Sequence, residues 1–340
     1  MFAAILILLA LGSLLWFGWQ SHRQYAAIQL LERSYSPSES GKQWGAVDVE
    51  RSGLGWLRSQ VGDQWMKAID APRRVTLTGA EFNDADLAHL SLLPQVEIVE
   101  LTDTGITDEG LKVLHVLPRL KSLRIHDSGL TDAGMMHIRR LVSLERLELT
   151  SMPITDAGLE QLQELSNLRL LSLRDTRVTG SGLSHLKGLP SLQCLDLEDT
   201  PTTDAALKHL SGLAGLWSLL LGNTQVTNSG LEHLAGMSGL EQLRLSDTKV
   251  TDAGLIQLMG LSSLHVLWLD NTEVTDAGLE HLKGLRGLNA LRLDRTLVTD
   301  KGLVHLQNLS RLRRIWTANT TVSDAGLADL KGALPGLAIE

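Results

Sequence analysis

Nine threonines stand at one fixed interval along this chain. Thr107, Thr131, Thr155, Thr179, Thr203, Thr227, Thr251, Thr275 and Thr299 are each 24 residues apart, with Asn83 one period before them and Ser323 one period after. No residue is inserted or removed between Asn83 and Ser323. A fixed period of this size calls for a stack of like units in place of one globular core, because a unit this small cannot bury its own apolar face. The surface of such a stack is long and regular, so a single catalytic pocket is not expected.

The unit from Leu144 to Asn167 shows what each copy does. Leu144, Leu147 and Leu149 read L-x-x-L-x-L, and the alternation at 147 and 149 puts both leucines on one face of a short strand. Met152 and Ile154 follow, then Thr155-Asp156-Ala157-Gly158-Leu159, then Leu162 and Leu165. A threonine before an apolar-periodic run is a helix N-cap signal, because its oxygen accepts from an unpaired N–H of the first turn. Leu159 and Leu162, three apart, share a helix face. The unit is predicted to be strand, turn and short helix, with its leucines inward. Eleven such units have strands centred near Leu77, Leu101, Ile125, Leu149, Leu173, Leu197, Leu221, Leu245, Leu269, Leu293 and Thr317. Stacked, these strands pair in parallel at about 4.8 Å.

These residues resemble the leucine-rich repeat family, in its Thr-Asp-Ala-Gly-Leu variety, over about three quarters of the chain. The resemblance implies an α/β fold: a leucine-rich-repeat solenoid, a curved rod with a parallel sheet on its concave face and short helices on its convex face. Two departures stand out. The position that is usually Asn in the family is here mostly Thr, at Thr176, Thr200, Thr224, Thr248, Thr272, Thr296 and Thr320; a hydroxyl both donates and accepts, so it can still satisfy backbone groups at the turn. Gly180-Ser181 and Asn228-Ser229 replace Asp-Ala, which is expected to weaken two helix starts as tolerated local variants.

The N-terminus carries a different signal. Phe2 to Trp19 is uncharged and almost wholly apolar. Eighteen residues at about 1.5 Å each span about 27 Å, close to a hydrocarbon core. Trp16, Phe17 and Trp19 cluster where aromatic rings favour the membrane interface. No basic stretch precedes the run and no small-x-small site follows it, so an uncleaved membrane anchor is expected before a cleaved signal. Arg23 and Arg33 follow the run, and the positive-inside tendency then puts the repeats on the cytoplasmic side; an exported or periplasmic-side placement is the alternative. A single cysteine, Cys194, allows no intrachain disulfide and agrees with a reducing compartment.

Residues 1–33 thus read as anchor and helical extension, 34–46 as linker, 47–72 as N-terminal cap, 73–332 as the solenoid and 333–340 as C-terminal cap. Within the first cap, Trp56, Leu57, Val61, Trp65 and Ile69 suit an amphipathic helix over Leu54–Ile69 covering the edge of the first strand. Gly18-Trp19 and Gly55-Trp56-Leu57-Arg58 resemble single-pass leucine-rich-repeat proteins common in planctomycete bacteria.

Function is expected on the strand face, where one position per unit lines up across the sheet. The central column reads Thr76, Glu100, Arg124, Glu148, Ser172, Asp196, Leu220, Arg244, Trp268, Arg292, Trp316. Glu100, Arg124 and Glu148 form a charge ladder that suits a solvated sheet. In the second half, cation and indole alternate with each tryptophan about 9.6 Å from the next, and Arg314 adjoins them. Aromatics are only 4% of the chain, and Trp and Arg dominate binding hot spots. Leu220, Arg244, Trp268, Arg292, Arg314 and Trp316 are therefore the candidate partner-binding residues, against the plainer reading that the rings shield the sheet. Trp217, offset by one, is expected at the edge and outside the stack.

Other chemistries find less support. His89, His137, His185, His209, His233, His281 and His305 recur in one helix slot. Neighbouring packed helices are about 8–10 Å apart, too far for several imidazoles to converge on zinc. The glycines at 110, 134, 158 and onward look like packing positions, not phosphate sites. The usual catalytic signatures are missing, and Cys194 has no nearby histidine on the strand face. The formal net charge of −8 argues against nucleic acid. The expectation is a membrane-tethered, non-enzymatic interaction module without cofactor or metal, binding a protein or peptide. A structural spacer or self-association scaffold without a specific ligand is the alternative.

Overall fold

The computed structural model describes residues 46–50 and 71–340. The Phe2–Trp19 run and the expected Leu54–Ile69 helix lie outside the described residues. The chain divides into two compact units, Met1–Leu144 and Glu145–Glu340.

In the first unit, β1 (Ala46–Glu50), β2 (Ala71–Thr78), β3 (Ile98–Thr102) and β4 (Ser122–His126) follow in order. β2, β3 and β4 pair in parallel, with Leu77, Leu101 and Ile125 in register. β1 runs antiparallel to β2, with Val47 opposite Val75. The edge for which the sequence suggested a helical cover is thus paired by a strand, which satisfies the backbone groups of β2 directly.

The second unit holds β5 (Arg146–Thr150), β6 (Leu170–Ser172), β7 (Cys194–Asp196), β8 (Ser218–Leu220), β9 (Gln242–Arg244), β10 (Val266–Trp268), β11 (Ala290–Arg292), β12 (Arg314–Trp316) and β13 (Ala338–Ile339). Each pairs in parallel with the next at an offset of one repeat. β13 was not expected: Ala338 lies opposite Arg314, so the terminal segment, expected as a cap, adds a strand to the sheet.

The helical arms are short, α-helical at Asp276–Leu282 and 3-10 at Ser181–Gly188. The leucines of strand and arm meet between them and are fully buried, as Leu267, Leu269, Leu279 and Leu282 show. The turn threonines work within their own repeat. Thr176, Thr200, Thr224, Thr248, Thr272 and Thr296 donate to the leucine carbonyl three residues earlier, at 2.5–2.7 Å.

The Thr-Asp step makes the joint between repeats. Asp252 accepts from the backbone N–H of Thr275 at 2.8 Å and from its hydroxyl at 2.6 Å. The hydroxyl of Thr275 in turn accepts from Ala277 N–H and caps its own helix. Only a group that donates and accepts can face both ways, which explains Thr or Ser in this slot. The same rung recurs at Asp84–Thr107, Asp108–Thr131, Asp156–Thr179, Asp204–Thr227, Asp276–Thr299 and Asp300–Ser323. The repeated glycine makes room for it: a Cβ on Gly278 would lie 2.3 Å from Asp252 Oδ1, and on Gly254 2.5 Å from Asn228 Oδ1.

The two departures in this slot fold differently. Asn228 keeps the rung, accepting from Thr251 N–H at 2.9 Å and donating its amide to the hydroxyl at 2.8 Å. Gly180 loses it. Its φ is +124°, and Thr203, which should receive a carboxylate, makes no side-chain cap bond. The space is filled from the next repeat, where Ala206 stands in the glycine slot and its Cβ would lie 2.2 Å from a Cβ on Gly180. Asp156 collects the displaced donors, accepting from Gly180 N–H at 3.1 Å and Ser181 Oγ at 2.7 Å besides Thr179.

Candidate functional site

The strand-face row of the second unit is contiguous. Leu220, Arg244, Trp268, Arg292 and Trp316 lie opposite one another in successive strands. In each three-residue strand the last side chain faces outward while the leucine or isoleucine before it points inward, so the row follows from the repeat itself. Leu220, Arg244, Trp268, Arg292 and Trp316 are half-buried, and Arg314 is exposed.

The expected even alternation is not what the side chains do. The Arg244 guanidinium carbon lies 3.6 Å from the Trp268 ring centroid, and that of Arg292 at 5.2 Å. Trp316 takes its cation from the adjoining column, Arg314 at 5.4 Å. Arg292 is drawn aside by Asp294, its Nε donating to Oδ2 at 2.6 Å, while Asp294 Oδ1 is held by Ala318 N–H at 2.7 Å. The row is therefore two clusters.

Arg244 is anchored from a residue outside the row. Its Nη1 donates to both carboxylate oxygens of Glu198, at 2.8 and 3.1 Å, across the whole intervening repeat. Gly222 lets this happen: a Cβ there would lie 2.8 Å from Glu198 Oε1. Arg174 closes the other side, donating to Glu198 at 2.7 Å and meeting Asp199 at 2.7 Å. The Glu198 side chain is 7% exposed. Burial pushes its carboxyl above the ordinary value; the hydrogen bond and charge of Arg244 pull it back without offsetting that, and Asp196 adds to the rise.

Together these residues frame a cleft of about 200 Å³ lined by Glu198, Gly222, Arg244 and Trp268, with Asp199, Asp247 and Asp270 around it. Its far edge is set by backbone conformation. The third residue after each of these strands is left-handed, φ between +52° and +58° at Asp199, Asn223, Asp247 and Asn271, a region that Asn and Asp tolerate best. Asn223 donates to Asp199 at 2.9 Å and Asn271 to Asp247 at 2.5 Å.

Glu198, Gly222, Asp247 and Asp270 did not enter the sequence reading of the site. They sit two or three residues after the central column, and reading those columns alongside it would have found them. Trp217 is 41% exposed just before β8, outside the row as expected. In the first unit Arg124 pairs with Glu100 at 2.8 Å. Cys194 is half-buried, its thiol pushed up chiefly by burial. Within the histidine column, His185 Nδ1 bonds Gln163 at 2.8 Å, and His209 is lowered by burial and then by Lys208 and Lys187. Among the described residues no group of three or more His, Cys, Asp or Glu is placed to hold a metal ion, and no helix is long and apolar enough to cross a membrane.

Comparison with known proteins places this architecture. A family model described as Leucine Rich repeat matches residues 95–114. No curated protein matches the chain. Among solved structures, an internalin (inlF) from Listeria monocytogenes is similar with a TM-score of 0.56 at 20% identity, covering 78% of this chain and 86% of that one. An internalin C2 (inlC2) of the same organism has a TM-score of 0.47 at 27% identity over 71% of this chain and 84% of its own. A leucine-rich-repeat protein of Leptospira interrogans has 0.47 at 16% over 74% and 80%. The likeness to the first is one of fold alone. The chain thus carries a leucine-rich repeat at residues 95–114 and shares its fold with the internalin inlF.

Proposed function

We propose that the chain is a membrane-tethered interaction protein that captures a protein or peptide partner on the strand face of its second unit. Leucine-rich-repeat proteins generally mediate protein–protein interaction. The observation that carries the reading here is Trp268 and Trp316, half-buried on a sheet face that no other described element covers, each with a guanidinium beside its ring. Aromatic and arginine side chains already held in place lose little freedom on binding, which is what a hot spot requires. The tether is the Phe2–Trp19 run, with the repeats on the cytoplasmic side, and the reading includes no catalytic step.

Trp268→Ala combined with Trp316→Ala tests it. In proximity labelling from the C-terminus of the full chain in cells, the double variant is expected to lose the neighbours that the parent labels, at equal abundance and membrane fraction. An unchanged set of neighbours would count against the reading. A size that grows with concentration in light scattering, insensitive to both substitutions, would favour the self-association scaffold.

A further inference from the structure

Within its cleft, the second unit's strand face has spent its positive charge. In the cleft beside Trp268, four carboxylates face two guanidinium groups. Arg174 is shared by Glu198 and Asp199, and Arg244 is held by both oxygens of Glu198 and stacked on the indole. Outside the cleft, Arg292 is bound to Asp294. An anionic partner would find no guanidinium here that it did not first have to pull from a carboxylate.

The carboxylates are not all used. Asp247 is exposed and accepts from the neutral amide of Asn271. Asp270 accepts from the Ser246 hydroxyl at 2.6 Å and lies 3.9 Å from Arg292, a distance that leaves it only partly compensated. They lie in the turns after the neighbouring strands β9 and β10, joined where Asp247 N–H donates to Asp270 C=O at 2.9 Å. Between them and Glu198 the floor is Gly222, whose missing Cβ is what lets the Glu198 carboxylate lie across it. The cleft, about 200 Å³, is the size of one long side chain and is roofed by no part of the second unit.

The geometry points to a docking cleft for a single lysine or arginine side chain of a protein partner, with its cation against Asp247 and Asp270. This rests on the strand face being the binding face, and it gives the partner there its chemistry: a basic residue as the anchor. Charge of this kind sets orientation and register as much as affinity, and exposed pairs of it weaken with salt.

The test is selection of a displayed random dodecapeptide library on the full chain in nonionic detergent. Enriched peptides are then synthesised with each lysine or arginine replaced by norleucine. The expected result is one basic position whose replacement weakens binding by about tenfold or more to the parent, and not to Asp247→Asn combined with Asp270→Asn. These substitutions keep the side-chain shape and remove only the charge. Peptides lost on Trp268→Ala with Trp316→Ala but indifferent to norleucine, or enriched acidic peptides, would overturn the cationic cleft and leave the binding face standing. Selection that yields no peptide dependent on the two tryptophans would overturn both.

Discussion

The helix edge and the strand face of the second unit are built from the same repeats by opposite rules. Along the helix edge each rung is made by identical partners one repeat apart, Asp with the next Thr and a glycine cut to fit the carboxylate. On the strand face the partners differ at every step. Glu198 skips a repeat to reach Arg244, Arg292 turns back to Asp294 in its own repeat, and Trp316 takes Arg314 from the adjoining column. The first arrangement holds the stack together, and it fails only as a set, as Gly180 and Ala206 show by changing together. The second varies freely because the leucines beneath it already fix the backbone, which is what lets a repeat array carry a specific surface.

The largest expected effect tests that coupling. Gly180→Asp restores the repeat's common residue yet should destabilise the protein by about 3 kcal/mol, because it forces φ from +124° against Ala206. Adding Ala206→Gly should return most of that loss and supply Thr203 with its missing carboxylate. Thermal unfolding of the two single variants and the double closes the cycle; additive losses would break the pairing of the two sites.

Gly278→Ala should cost about 1–2 kcal/mol, since its Cβ would lie 2.3 Å from Asp252 Oδ1 and push the carboxylate off Thr275. Hydrogen exchange at the Thr275 amide should rise with it; an unchanged amide would mean the rung contributes nothing. By contrast, Trp268→Ala with Trp316→Ala should change stability by less than about 1 kcal/mol, as surface substitutions away from the core do. A cooperative loss of structure in denaturant would instead make the rings shields of the sheet.

The smallest effect is the response to acid. The hydroxyl and the amide of Ser323 hold the Asp300 carboxyl below its ordinary value of 3.8. For Asp156, burial pushes up, but the bonds from Thr179, Ser181, Gly180 and Gly182 outweigh it and the net shift is also down. A carboxylate depressed in the folded state stabilises above its unfolded value and loses that contribution as pH falls through the folded one. The helix edge should therefore loosen only below about pH 4, read as amide exchange at Thr179 and Ser323, while both amides stay protected from pH 5 upward.

Much of this was legible beforehand for a physical reason. The period, the inward leucines, the Thr caps and the contiguity of Leu220, Arg244, Trp268, Arg292 and Trp316 all follow from a local rule repeated without insertion. Asn228 and Gly180 looked alike as departures, yet one keeps its rung because an amide can accept and donate, and the other has no side chain with which to do either. The strand covering β2 depends on long-range pairing that no repeat pattern announces, whereas β13 keeps the one-repeat offset although Leu334 and Leu337 stand one residue out of phase.

What the amino acids alone determined is the register: which residue of each repeat stands beside which residue of the next. What only the tertiary structure decided is how the charges on that register divide. Arginine and glutamate side chains reach farther than the spacing between strands, so their partners depend on which neighbour leaves space, and at Gly222 that space joined Glu198 to Arg244 and left Asp247 and Asp270 facing outward.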